Sequence, residues 1–385
     1  MPRFPRRRLL VPSAALWWGL QLSFLNPALA FLLVGLFDAT PTEVGVVLAL
    51  YNASGFVASL VVPVWADRRG EYVLPMVASG VLTAALAVVL ALVTALPPAV
   101  VALVVLGGPA GVGSSLLFAH LRHAGAGAEQ VVRTRAVFSA AWIAGPPLAT
   151  VLLGRGVHWL LATVVVIAAL NVLTTLQLRR GVAAGAPEAP AGPGVPWRGT
   201  ALVAVAFVAV AAANSAAVSV MSLFVTQRLG LDVVWAGIVL GVSAGLEIPA
   251  LLLLGRLTAR FGDLPLVLSG CLAGTAYYLG VVFVAVGPVS LLALQALNAW
   301  FFAISAGVGL TMFQRIIPRP GLAVGVFGNV RKVGQVIAGP VIALGSATHL
   351  GYGGVFAVCA GLTTIALLVV LVSRRAVPEL SARPA

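Results

Sequence analysis

Twelve apolar runs succeed one another along the 385-residue chain, at 12–37, 43–66, 72–95, 98–119, 130–154, 157–178, 199–225, 232–256, 264–286, 288–313, 321–346 and 352–373. A helix rises 1.5 Å per residue, so about 20 apolar residues span a hydrocarbon core, and every run reaches that length. Two of the intervening turns, ALPPA at 95–99 and VGPV at 286–289, are so short that the helices they join must run antiparallel. The pattern predicts an all-α membrane protein with twelve transmembrane helices. Its 42 glycines and 24 prolines would interrupt helices in water. Membrane spans tolerate them, because neighbouring helices satisfy the freed backbone groups.

The polar punctuation adds an orientation. Arg3, Arg6, Arg7 and Arg8 precede the first run, and Ala28-Leu29-Ala30 inside it mimics a signal-peptide cleavage site. The apolar stretch continues through Phe37, too long for a signal segment, so the expectation is an uncleaved first span. With the N-terminus inside, 19 of the 22 arginines fall on cytoplasmic loops; Arg155 and Arg228 fall outside, and Arg331 lies within the eleventh run. That asymmetry predicts two cytoplasmic termini.

One long Pro/Gly-rich stretch, 179–198, divides the chain into a bundle at 1–178 and a bundle at 199–385, six spans in each. Short elements recur at about half the chain length. WADRRG at 65–70 and TARFG at 258–262 follow the second and eighth spans; IAGPP at 143–147 and IAGPV at 337–341 lie in the fifth and eleventh. Two pseudo-symmetric six-helix bundles with repeated motifs resemble the major facilitator superfamily. VWADRRG at 64–70 resembles that superfamily's signature loop between spans two and three. The resemblance implies a cytoplasmic gating latch of Asp67, Arg68, Arg69 and Gly70. In it Asp67 sits against a helix N-terminus, and the arginines reach acids or carbonyls nearby. Glu71-Tyr72 stand where the family carries further basic residues, and the alternative is that Arg68 and Arg69 are only positive-inside anchors.

Three segments narrow the resemblance to bacterial sugar efflux transporters: RTRAVFSAAWIAGPPLA at 133–149, SAGLEIP at 243–249 and VRKVGQVIAGP at 330–340. What this implies is a secondary transporter that exports sugars or glycosides by alternating access, coupled to protons. The alternative is multidrug or other small-molecule efflux within the same superfamily. The Gly145-Pro146-Pro147 element partly matches the antiporter motif, but Leu148-Ala149 follow where further glycines are expected.

A charge at mid-bilayer costs several kcal/mol unless paired or hydrated, which makes each one a candidate site. Glu247 is the sole carboxylate buried in a span, about 16 Å above its cytoplasmic end at helical rise. Lys332, the only lysine of the chain, lies at similar depth beside Arg331. Opposite charges at matched depth neutralise each other directly or across water. The pair is then either a fixed ion pair or a working one, with Glu247 accepting sugar hydroxyls or exchanging a proton. Arg135, Ser139 and Trp142 stand at i, i+4 and i+7, on one face of the fifth span. A guanidinium fork donates to vicinal hydroxyls and an indole stacks on a sugar ring; otherwise Arg135 is an edge anchor and Trp142 is core. The spacing from Arg133 and Arg135 to Trp142 also resembles the lactose–proton symporter, which implies sugar contact by the matching Arg and Trp. Span four offers no carboxylate for Arg135, however, and span ten has no His or Glu for that symporter's proton step.

Further polar residues punctuate the runs: Gln21 and Asn26, Tyr51 and Asn52, Asn214 and Ser215, Gln295, Asn298 and Ser305, and Gln335. Singly each reads as an interhelical hydrogen bond. Together they suit an uncharged, hydroxyl-rich substrate. The expected substrate-binding set is therefore Arg135, Ser139, Trp142, Glu247, Asn26, Asn52, Asn298, Lys332 and Gln335.

Composition closes the remaining alternatives. The chain is 61% apolar and 9% charged, where soluble proteins are near one quarter charged, which excludes a soluble enzyme, a nucleic-acid binder and a disordered tail. The net charge of +13 is the cytoplasmic arginine surplus and not a nucleic-acid signal. Cys271, Cys359, His120 and His123 lack metal-ligand spacing, and no zinc-hydrolase, P-loop or dinucleotide fingerprint occurs. G-x-S-x-G at 241–245 falls mid-span, where it reads as a helix-packing motif. No metal, cofactor or enzymatic role is expected. The expected partners are a small sugar or glycoside, protons and the lipid bilayer, for a monomer in the inner or plasma membrane.

Overall fold

The computed structural model describes residues 5–124, 128–178, 197–317 and 320–376; the side chains of some helical residues, Arg135 among them, fall outside that description. The expected linker lies largely outside it too, at 179–196. All regular structure among the described residues is helical. Three long helices, α1 (Pro5–Phe37), α2 (Pro41–Arg69) and α3 (Val73–Leu92), come first. Next, α4 runs as Leu96–Ala102, a π-turn at Leu103–Gly107, Gly108–Ala110 and Gly113–His123. The helices α5 (Ala128–Arg155) and α6 (Val157–Leu178) follow. Then come α7 (Trp197–Leu223, ending in a π-turn at Phe224–Arg228), α8 (Val234–Phe261) and α9 (Asp263–Phe283). In α10, Pro288–Ala303 passes through a π-turn at Ile304–Val308 into Gly309–Ile316; α11 (Pro320–Ser346) and α12 (Tyr352–Ala376) complete the chain. Eleven of the twelve are long and apolar enough to cross a membrane. The twelfth, α11, carries Arg331 and Lys332 in its middle.

The breaks in α4 and α10 occupy the same place in their halves and have legible causes. The Gly108 N–H reaches back to the Leu103 carbonyl, one residue beyond the α-helical ladder, and Gly309 does the same to Ile304. Pro109 follows at once and has no N–H to give. In the π register its acceptor would be Val104 O, and the Ser54 hydroxyl of α2 donates to that oxygen instead, at 2.5 Å. A neighbouring side chain thus satisfies the backbone group that proline leaves open.

The chain forms two compact units: Met1–Ala39, Leu50–Glu188 and Ala236–Gly241 in the first; Thr40–Ala49, Ala189–Trp235 and Val242–Ala385 in the second. Within the first, α1 packs on α5 and α6, and α3 on α6. Within the second, α7 packs on α11 and α12, and α9 on α12, the same pairs six helices later. Small residues allow the closest approaches. In the second unit a Cβ on Gly45 would lie 2.6 Å from the Gly339 oxygen and 2.8 Å from the Ala343 nitrogen. In the first, a Cβ on Gly237 would lie 2.6 Å from the Pro146 oxygen, and one on Gly241 would lie 2.7 Å from that of Ile143. Neither helix pair could hold this spacing with a larger residue there.

The core of the first unit contains a buried polar triad. Gln21 Nε2 donates to Thr83 Oγ1 at 2.6 Å, and Asn171 Nδ2 donates to Gln21 Oε1 at 2.6 Å, tying α1 to α3 and α6. Gln21 is 2% exposed and the other two are fully buried. Thr83 also donates to the Ser79 carbonyl at 3.0 Å, so its hydroxyl keeps a partner without Gln21. In the second unit the corresponding α9–α12 contact is Thr275 with Thr363, 3.0 Å between hydroxyls. Gln21→Leu strands the Asn171 amide and is expected to lower unfolding stability in detergent by about 1–3 kcal/mol. Gln21→Leu with Asn171→Leu is expected to recover part of that loss, since removing both partners abolishes the unmet group. Thermal unfolding followed by tryptophan fluorescence checks the order, and a double variant weaker than both singles contradicts it.

Candidate functional site

The loop between α2 and α3 is built around a left-handed glycine. Gly70 has φ +63°, a conformation that glycine adopts without steric cost. It turns the chain so that the Tyr72 hydroxyl donates to Asp67 Oδ1 at 2.5 Å. The carboxylate at the start of α3 is Glu71 and not Asp67: Glu71 Oε1 accepts the Leu74 N–H at 3.0 Å. The Arg69 guanidinium lies 4.7 Å from the Trp65 ring centre, while Arg68 is exposed. Tyr72 also meets the buried His120 edge to face at 6.2 Å, which accounts for that histidine as a packing residue.

The second half carries a counterpart that its motif only hinted at. Gly262 has φ +78°, and Asp263 follows it at the start of α9, as Glu71 follows Gly70. Asp263 is 3% exposed and pairs with Arg315 Nε of α10 at 3.2 Å. The recurrence of Gly-acid after TARFG was the available signal; the distant arginine had none.

The polar residues inside the spans separate into two kinds. Some are spent on helix contacts. Asn298, 8% exposed, donates to Ser243 Oγ at 2.9 Å and to Gln295 Oε1 at 3.1 Å, and Gln295 donates to the Leu291 carbonyl at 2.9 Å. This network ties α10 to α8 and accounts for Asn298 as a structural residue. Asn26 is half-buried and accepts the Tyr51 hydroxyl at 3.3 Å, across α1 and α2. Glycine 145 of the Gly-Pro-Pro element packs against Ser23, whose hydroxyl donates to the Ala141 carbonyl at 3.1 Å.

Others keep their hydrogen-bonding capacity open. In the first unit Asn52 and Trp142 are half-buried and Ser139 is exposed on α5 beside Ala136 and Ala140; none of the three makes a side-chain hydrogen bond among the described residues. In the second unit the same holds for half-buried Asn214, Ser215 and Lys332 and for exposed Gln335. Glu247 is half-buried and engaged in an interaction of its own, and Arg331 lies 5.9 Å from the Phe302 ring centre. Lys332 makes no ion pair among the described residues, so the direct Glu247–Lys332 pairing expected from matched depth is not formed. Depth along a helix does not fix the direction in which a side chain leaves it. A recess of about 320 Å3 at one end of the second unit, lined by Gln227, Arg228, His349 and Tyr352, holds none of the expected residues.

Comparison with known proteins places these features in context. Residues 13–290 match the family model described as Major Facilitator Superfamily. The chain is 30% identical over 380 residues to the putative sugar efflux transporter of Deinococcus radiodurans, covering 92% of this chain and 94% of that protein. It is 35% identical over 238 residues to sugar efflux transporter A of Dickeya chrysanthemi, covering 59% of this chain and 60% of that one, so this second match spans about three fifths of the relative. The crystal structure of the nucleoside transporter NupG superposes with a TM-score of 0.76 at 14% identity, covering 96% of this chain and 99% of that one, a likeness of fold.

The two kinds of polar residue predict opposite responses to truncation. Asn298→Ala is expected to cost about 1–2 kcal/mol of stability by opening the α8–α10 network. Gln335→Ala, which breaks no hydrogen bond, is expected to leave the unfolding midpoint unchanged. Thermal unfolding of both variants decides, and equal losses would contradict the sorting.

Proposed function

From its membership of the Major Facilitator Superfamily, a family of multi-pass membrane transporters, we propose that this chain exports sugars or glycosides by alternating access as a secondary transporter. The observation that carries the reading is the set of uncommitted hydrogen-bonding side chains on otherwise apolar helices: Asn52, Ser139 and Trp142 in one unit, Asn214, Lys332 and Gln335 in the other. Leaving a polar group unmet in hydrocarbon costs free energy, so such groups belong where water or a hydroxylated solute reaches them. A sugar meets them in kind, with hydroxyls for the amides and an apolar ring face for the indole. The names of the sugar efflux relatives point to the same substrate class.

In this reading Trp142 and Ser139, with Arg135 one turn before Ser139, bind the sugar from α5. Asn26, held by Tyr51, presents its remaining capacity from α1; in the second unit Gln335 is the candidate contact on α11. Asn298 acts indirectly, by fixing α10 to α8. Glu247 is the candidate proton site, because it is the carboxylate that lies mid-span, away from either helix end. Asp67, Arg68, Arg69 and Gly70 form the gating loop at the cytoplasmic face, with Tyr72 holding Asp67. The protein works as a monomer in the cell membrane with both termini in the cytoplasm and performs no covalent chemistry on its cargo.

Vesicles reconstituted with the protein and loaded with labelled sugar provide the test. Efflux is expected to exceed that of protein-free vesicles, to rise with an opposing pH gradient, and to fall at least tenfold in Trp142→Ala. Glu247→Gln is expected to retain sugar exchange at equal pH while losing the response to the gradient. Transport of organic cations with none of sugars overturns the reading. An unaltered gradient response in Glu247→Gln removes the proton role alone.

A further inference from the structure

Lys332 stands apart from every other basic residue. It is the only lysine of the chain, whose 22 other basic residues are arginines, and with its neighbour Arg331 it lies in the middle of α11 rather than at a helix end. It is half-buried, and among the described residues it makes no hydrogen bond, ion pair or ring contact. Other charged side chains of the same unit have interactions of their own: Arg331 lies over Phe302, Asp263 pairs with Arg315, and Glu247 is engaged elsewhere. Three residues to either side, Asn329 and Gln335 are exposed. Residues at i−3, i and i+3 share a helix face, so an ammonium is flanked there by two carboxamides. A face of that composition on a membrane helix turns toward water and not lipid.

An ammonium held half out of water, with no counter-charge among the described residues, favours a solute that brings the counter-charge. We propose that the preferred cargo carries an anionic group, a carboxylate or phosphate on a sugar or glycoside, and that Lys332 is the residue that selects it. The proposal rests on the sugar-export reading and refines its substrate class. The sequence alone suggested an uncharged cargo from its amide and hydroxyl side chains, and left open that Glu247 neutralises Lys332. With that pairing absent, the positive charge is left for the cargo. A lysine ammonium is a compact point charge that suits either anion, and the amides of Asn329 and Gln335 flank it where the hydroxyls next to the anionic carbon would lie.

Proteoliposomes with wild type, Lys332→Gln and Lys332→Arg test this against three labelled probes: methyl glucoside, methyl glucuronide and glucose 6-phosphate. Wild type is expected to export at least one anionic probe ten times faster than methyl glucoside. Lys332→Gln is expected to lose that tenfold preference while still exporting methyl glucoside well above protein-free vesicles, which also shows that it folds. Lys332→Arg keeps the charge and is expected to keep most of the preference. If wild type ignores the anionic group, or Lys332→Gln slows all three probes equally, the anionic cargo is overturned while sugar export stands. If wild type moves none of the three, both readings fall.

Discussion

A hydrocarbon core offers no hydrogen-bond partner, and nearly everything in this protein follows from that. Each polar group within a span must be met by another protein group, kept at a helix end, or turned toward water. The chain uses all three solutions. The Gln21–Thr83–Asn171 triad and the Asn298–Gln295–Ser243 network close their donors internally. Arginines other than Arg331 gather toward helix ends and loops. A short set, with Lys332 the most exceptional, makes no side-chain hydrogen bond or ion pair among the described residues.

The same constraint governs the backbone. Proline 109 withholds an N–H in the middle of α4, and the chain answers with a π-turn and with the Ser54 hydroxyl at Val104 O. The matching π-turn in α10 precedes a glycine as well, so the internal repeat extends to a defect in the ladder. Glycine does the complementary work between helices. Gly45 meets Gly339, and Gly237 and Gly241 meet the Ile143–Pro147 segment, at spacings that exclude a Cβ. The repeated IAGP element is used differently in its two copies: Gly145 packs on Ser23 of α1, whereas Gly339 packs on Gly45 and Ala49 of α2. Repetition of a motif conserved its smallness without conserving its contact.

Much of the candidate site was legible residue by residue but not as an arrangement. Asn298 and Gln335 look alike in the sequence, each an amide in an apolar run, yet one is buried in a three-residue network and the other exposed. Glu247 and Lys332 matched in depth and still do not pair. Asp67 was the expected latch carboxylate, while the carboxylate that caps the next helix is Glu71. Asp263 and Arg315, an ion pair with the acid buried, lie 52 positions apart and were invisible to spacing.

The amino-acid order by itself determined the twelve helices to within a few residues at most ends, the repeat of motifs in two halves, and the rarity of charge that makes each buried one worth testing. These are local properties: helix periodicity, run length and loop composition are set by neighbours in the chain. The tertiary structure alone decided which amides are satisfied, which glycines touch, and that Lys332 has no counter-ion among the residues described. Those outcomes depend on the rotation and distance of helices remote in sequence. No periodicity encodes them, because a side chain's partner across a helix interface is fixed only once the helices have packed.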